Sequence, residues 1–244
     1  MSARVSAFST PRGPGSERCR QPVPATMEPS VPRRILRCGE HLFHAGETYR
    51  NPYLVCSGYL ESYYVHADGE EQILGLHGAG EVVGFDALFG ASSSTSVKAI
   101  DTASVQVVRT REGLLGLSDY GPELCAVITA MHEEIQRFMR RLHIERHPSE
   151  RRLAEFLTDF ADRAERRGLS STLLVLPVSR RLLARYLGLA PETLSRTFSS
   201  FQERGILRVE SREVAILDRT ALQTIADPGL NDPDHLDPDP RRLR

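Results

Sequence analysis

The stretch LARYLGLAPETLSRTFSSFQERGIL (Leu183–Leu207) decides the reading of this 244-residue chain. It divides into a helix near Ser179–Leu187, a tight Gly188-Leu189-Ala190 connection, and a second helix from Pro191 to Arg204 closed by Gly205. Proline suits a first helical turn and glycine a helix stop. Leu194, Phe198 and Phe201 share the inward face of the second helix and meet Leu183, Tyr186 and Leu187 of the first, with Thr197 at the edge. That is the small core of a helix-turn-helix. Glu192, Ser195 and Arg196, at i, i+3 and i+4, lie on another face near the helix N-terminus, the end that such a helix inserts into the major groove. Arg can donate twice to guanine, Glu can accept from cytosine and Ser can do either, so the three are candidates for DNA base readout. Arg180, Arg181, Arg185 and Ser199 are candidates for phosphate contacts, which hold register without reading sequence. The alternative for Glu192 and Arg196 is an i,i+4 ion pair on a solvated face, worth only ~0.3–0.5 kcal/mol. The basic surroundings argue for DNA.

Downstream, ILRVESREVAILD reads as two short strands turning at Ser211-Arg212, a wing beside the helices. Upstream, SERRLAEFLTDFADRAERRG reads as a separate helix with Ser149 as its N-cap and Gly168 as its stop. From Ser149 to Thr220 there are thirteen arginines against ten carboxylates, whereas Leu36–Arg109 carries four basic against nine acidic residues. The overall net charge of −1 therefore hides an acidic half and a basic half.

Leu124, Ile128, Met131, Ile135, Phe138 and Leu142 alternate steps of four and three, a coiled-coil seam. Glu133, Glu134, Arg137, Arg140 and Arg141 form its charged, solvated back. Such a helix either lies on its own barrel or joins two chains, and the regular alternation favours a homodimer. Before it, runs such as YLVCSGYLESYYV and ASVQVVRT, with nine of eighteen glycines between Gly39 and Gly90, indicate short antiparallel strands. The expected class is α+β, in five segments. They are a mobile N-terminal tail (1–34), an antiparallel β-roll (35–120), a dimerisation helix (121–147), a winged helix-turn-helix DNA-binding domain (148–225) and a disordered tail (226–244). Both tails are proline-rich and lack periodicity. Met27 is a second available start.

With those residues in view, the chain resembles the Crp/Fnr family of dimeric bacterial transcription regulators over roughly Ile35–Ile225. GEEQILGLHGAGEVVGFDALFG is similar to the sensor roll of its Fnr branch, a cyclic-nucleotide-binding-like fold, and YLGLAPETLSRTFSSFQERGIL to its recognition motif. The resemblance implies that Glu192, Ser195 and Arg196 read a TTGAT-type inverted repeat. It further implies a homodimer acting mainly as an activator, with double-stranded DNA and RNA polymerase as partners.

The sensing half departs from the family pattern. Fnr proteins hold a [4Fe-4S] cluster on a tight group of cysteines plus one in the roll. Here Cys19, Cys38, Cys56 and Cys125 are scattered, Cys38 at the start of the first strand, and ASVQVVRT contains no cysteine. Four thiolates are normally needed, so the Fe-S cluster is disfavoured. Cyclic AMP is disfavoured too. The family's Gly-Glu pair appears as Gly84-Phe85, and ASSSTS (Ala91–Ser96) lacks the arginine that meets the phosphate. His41, His44, His66 and His77 are available to haem, though none is singled out as a ligand. No metal site and no cofactor are predicted, and the effector, haem or another, stays open.

No enzyme is expected either, since GxSxG, HExxH, a Walker loop and paired carboxylates are all lacking. The competing reading is a ligand-binding module that regulates a protein partner, which calls for an apolar docking groove rather than an exposed Glu-Ser-Arg face. No apolar run reaches membrane-spanning length, the N-terminus lacks a signal-peptide core, and unpaired cysteines suit a reducing compartment, so a cytoplasmic protein is expected.

Overall fold

The computed structural model describes residues 32–48, 51–86, 92–108, 122–144 and 147–227. The chain opens with β1 (Arg33–Leu36), β2 (His41–Phe43), β3 (Tyr53–Ser57), β4 (Tyr59–Val65), β5 (Glu71–Gly78), β6 (Val82–Val83), β7 (Ser96–Ala99) and β8 (Ala103–Val107). These form two four-stranded antiparallel sheets, ordered β1-β8-β3-β6 and β2-β7-β4-β5. Leu36, Val55, Leu60, Val97 and Val105 fill the space between them. Gly58 makes the β3–β4 turn possible: its φ is +73°, and a Cβ there would lie 2.7 Å from Ala103 Cα. β1 begins at Arg33, inside the segment expected as tail, because Arg33–Leu36 pairs with Ala103–Gln106.

Then come α1 (Pro122–Ile144), α2 (Ser149–Arg166), β9 (Leu173–Val175), α3 (Arg180–Leu187), α4 (Pro191–Glu203), β10 (Leu207–Glu210), β11 (Glu213–Ile216) and α5 (Arg219–Ala226). The wing has three strands, ordered β10-β11-β9, rather than the two expected. Leu173–Val175 is too short to show a pattern, and its partner lies about forty residues away in sequence. α2 also departs from expectation at its start. Its N-cap is Pro148, with no side-chain cap bond, and Ser149 is the first helical residue. The Ser149 hydroxyl lies instead 3.3 Å from Thr197 Oγ1 on α4. Among the described residues, no helix is long and apolar enough to cross a membrane.

α1 packs on its own roll along part of its length and leaves apolar side chains exposed along another part. Ala130 and Met131 pack on Leu54, Val82 and Val108 of the roll. Ile128, Ile135 and Phe138 remain 53%, 55% and 44% exposed. The side chains of Leu124, Cys125, Arg140, Arg141 and Leu142 lie outside the described residues, as do residues 1–31 and 228–244 of the expected tails. One apolar cluster runs from Ile73 and Leu76 of β5 into α2, α3 and α4, so the roll and the helical unit share a core.

Candidate nucleic-acid interface

Local chemistry builds the helix pair. Ser179 Oγ accepts from Leu182 N–H at 3.2 Å and caps α3, which ends at Gly188 in the left-handed region (φ +62°). Ala190 precedes α4 and Pro191 occupies its first turn. Gly205 (φ +68°) follows its end. Leu183, Leu187, Leu194, Phe198 and Phe201 are buried together, and the Tyr186 ring meets Phe156 edge-on at 5.7 Å. Thr197 Oγ1 donates to Thr193 O at 2.8 Å.

Glu192, Ser195 and Arg196 are exposed on α4, and Glu192 and Arg196 form no ion pair. Arg196 Nη2 donates to Thr193 Oγ1 across 3.4 Å. The guanidinium is therefore free to exchange water for another acceptor. Ser199 and Arg181 are exposed as well. The other two phosphate candidates have partners within the protein. Arg180 stacks its guanidinium 3.9 Å over Phe198 and donates to Ser211 O of the wing turn (3.2 Å). Arg185 Nη2 donates to Glu71 O of the roll at 2.8 Å and lies 3.5 Å from the Glu71 carboxylate. The reason is the same for both: a long side chain on a helix takes an acceptor from an element distant in sequence.

Three positioning residues had escaped the sequence reading. Glu150 at the start of α2 accepts from Ser200 Oγ (3.1 Å) and Arg204 Nη1 (2.9 Å), fixing the rotation of α4 about its axis. Arg152 donates to His147 O (2.8 Å), Leu187 O (3.1 Å) and Gly188 O (3.0 Å), clamping the turn of the pair to the α1–α2 junction. Gln202 Oε1 accepts from Val209 N–H at 3.1 Å and ties α4 to the wing. A helix N-terminus rich in Glu and Arg was visible in the sequence, but not what it would touch.

At Glu134 and Arg137 the back of α1 is not solvated as expected. Glu134 and Arg137 are partly buried, and Arg137 Nε donates to Glu134 Oε2 at 3.0 Å. They join Glu81 of the roll and Arg163 of α2, the latter only 5% exposed. The sequence showed each charge but not the opposite charges that the roll and α2 bring to it. Burial opposes charge on Glu81, but Arg163 and Arg137 outweigh it and hold the carboxyl below its ordinary pKa. His77, 3% exposed, sits beside them. Its Nε2 and Ser62 Oγ are 2.8 Å apart, and Nδ1 is 3.9 Å from Glu134. Burial pulls its pKa down, so the imidazole is held neutral. Gly75 makes room for the ring, since a Cβ there would meet His77 Nε2 at 2.7 Å.

Ser62, His77, Phe85, Glu134 and Phe138 help to line a cavity of about 280 Å³ between roll and α1. Asp86 lines it too, its carboxylate within 3.4 Å of Ser93 Oγ and Ser94 N. Among the described residues its lining includes two carboxylates and no Arg or Lys, a poor fit to a phosphate. Cys38 lies in the turn after β1 rather than at a strand start, its Sγ 3.0 Å from Ile100 O. Cys56 on β3 lies over Leu54 O and Gln106, and burial raises its thiol pKa. Cys19 and the Cys125 side chain lie outside the described residues. His41 bonds to Tyr63 and stacks on His44, while His66 bonds to Gln72. Among the described residues, no group of three or more His, Cys, Asp or Glu is placed to hold a metal ion.

A roll, a long helix and a winged helix-turn-helix with an exposed polar face define a DNA-binding transcription regulator. Known proteins agree with that class. Residues 33–117 match a cyclic nucleotide-binding domain and residues 151–225 a Crp-like helix-turn-helix domain. The chain is 35% identical over 196 residues to the transcriptional activator protein FnrA of Stutzerimonas stutzeri, covering 79% of this chain and 80% of that one. It is 34% identical over 196 residues to the fumarate and nitrate reduction regulatory protein of Vibrio cholerae, covering 80% and 78%. The structure of FixK2 from Bradyrhizobium japonicum matches with a TM-score of 0.69 at 25% identity, covering 80% of this chain and 96% of that one. The chain belongs to the Crp/Fnr family of effector-binding transcription regulators, which are not enzymes.

Proposed function

We propose that the protein binds an Fnr-type TTGAT inverted repeat as a homodimer, acting mainly as an activator that also contacts RNA polymerase. The observation that carries the reading is the exposed Glu192–Ser195–Arg196 face, whose acidic and basic members leave each other unpaired. Glu192, Ser195 and Arg196 read base edges, and Arg181 and Ser199 contact phosphates. Arg185 joins them where it leaves Glu71, and Arg180 shapes the wing. Ile128, Ile135 and Phe138, exposed on one stripe of α1, supply the seam between two copies, with Leu124, Met131 and Leu142 completing its register. Two recognition helices then enter successive major grooves.

The sensor half works without the standard [4Fe-4S] cluster and without cyclic AMP. The support is the separation of the Cys38 and Cys56 environments and the cavity's carboxylates. Haem is not assigned to any of the four histidines.

The test is DNA binding by protein purified with and without oxygen, on a TTGAT-type inverted repeat and a scrambled duplex at one salt concentration. Tight binding to the repeat in both preparations is the expected result. Binding only without oxygen overturns the cluster-free reading, and equal binding to both duplexes overturns the site. Ile135→Glu should give a monomer with loss of repeat affinity, measured by sedimentation and titration together.

A further inference from the structure

Glu81 ends the β5–β6 turn, and that turn is folded around its side chain. Its N–H donates to Gly78 O at 3.1 Å, and its Oε2 accepts from Gly78 N–H at 3.1 Å. The carboxylate is thereby fixed relative to the roll. It then meets both helices that leave the roll. Arg163 Nη1 of α2 is 3.2 Å from Oε1, and Arg137 Nη1 of α1 is 3.6 Å from it. Arg163 Nη1 also donates to Leu76 O of β5 at 2.9 Å, while Asp159 pairs with Arg163 Nε at 3.0 Å. A buried ion group of this kind tolerates few alternative arrangements, because any shift that separates one partner leaves a charge uncompensated.

The two helices have different duties. α1 presents the exposed apolar stripe, and α2 carries the recognition pair through Glu150 and Arg152. We infer that Glu81 is a positioning residue for DNA recognition. By holding Arg137 and Arg163 together it sets the angle at which the DNA-binding unit leaves α1, and so the separation of the two recognition helices in a dimer. The inference rests on the inverted-repeat reading above.

The test uses full-length wild type, Glu81→Gln and Arg163→Lys at one salt concentration on three duplexes. These are the inverted repeat, the same repeat with one base pair added between half-sites, and a scrambled sequence. The added pair turns one half-site by about 34° relative to the other. Wild type should prefer the original spacing. Both variants should lose ~5-fold or more of that preference, the lower range of coupling between sites, while staying dimeric and binding the scrambled duplex as wild type does. Arg163→Lys keeps the buried charge but lacks the planar fork, so it decides the matter where Glu81→Gln fails to fold. An unchanged spacing preference in a folded variant, or equal loss on all three duplexes, overturns the inference. Wild type that ignores the repeat defeats the inverted-repeat reading instead. Orientation is then read from spin labels at Asp68→Cys and Arg212→Cys in a chain with its four native cysteines replaced by serine. Their distance distribution should broaden in Arg163→Lys, and an unchanged distribution overturns the inference.

Discussion

Arg196 and Arg163 are the same side chain under opposite conditions. Arg196 stands in solvent on α4 with one long bond to a threonine. Arg163 is 5% exposed on α2, with Glu81 and Asp159 both within 3.2 Å. Burial works against its charge, yet those two carboxylates outweigh burial and raise its pKa. A hydrated, unpaired guanidinium has spare hydrogen-bonding capacity for a ligand. A desolvated one has already committed that capacity to its own fold.

The contrast breaks most directly at Arg163. Arg163→Ala should cost ~3–5 kcal/mol in urea denaturation, since it strands the largely buried Glu81 carboxylate, whereas Arg196→Ala should change stability by less than about 0.5 kcal/mol. Equal stability losses would abolish the distinction. On DNA the order reverses. Arg196→Ala should cost ~1–3 kcal/mol of specific binding and relax preference at one base pair. Arg181→Ala should weaken every duplex alike and lower the salt slope by about 1, as titrations across a salt series would reveal.

Gly75→Ala sharpens the buried side of the comparison. The new methyl meets the His77 ring and, at 3.0 Å, Ser62 Oγ, so overpacking should cost ~1–3 kcal/mol in thermal unfolding. The gentlest perturbation is pH. His77 titrates below its ordinary 6.5, so the unfolded chain takes up the proton first, and stability falls as pH drops through 6.5. His77→Asn should flatten that part of the profile. A second decline below 4.5 follows from Glu81 and Glu134, whose lowered pKa values stabilise the fold above that pH. A profile flat to pH 5 in wild type would contradict the buried neutral imidazole.

Much of the recognition half was legible in the residues because its signals are local. Pro191, Gly188 and Gly205 mark helix ends through their own backbone preferences, and the i, i+3, i+4 spacing puts Glu192, Ser195 and Arg196 on one face. The roll was legible as a class from Gly-bounded runs, though not in its pairing. The contacts that the residues left unread share a different origin. β9 needed β11 from far along the chain, Arg185 needed Glu71, Arg180 needed the wing turn, and Ser149 needed Thr197. None of those partners lies within a turn or two of the residue it engages.

By itself the amino-acid sequence determined the helix pair, the exposed Glu192–Ser195–Arg196 face, the apolar stripe of α1 and the strand-rich character of the first half. Each follows from backbone preference or from periodicity over a few residues. Tertiary structure alone decided which charges stay hydrated. Glu134 and Arg137 look like a solvated helix back, and only the turn that carries Glu81 and the arrival of Arg163 from α2 make them part of a buried ion group. The physical reason is that the cost of desolvating a charge depends on what surrounds it in space, and sequence spacing carries no information about that.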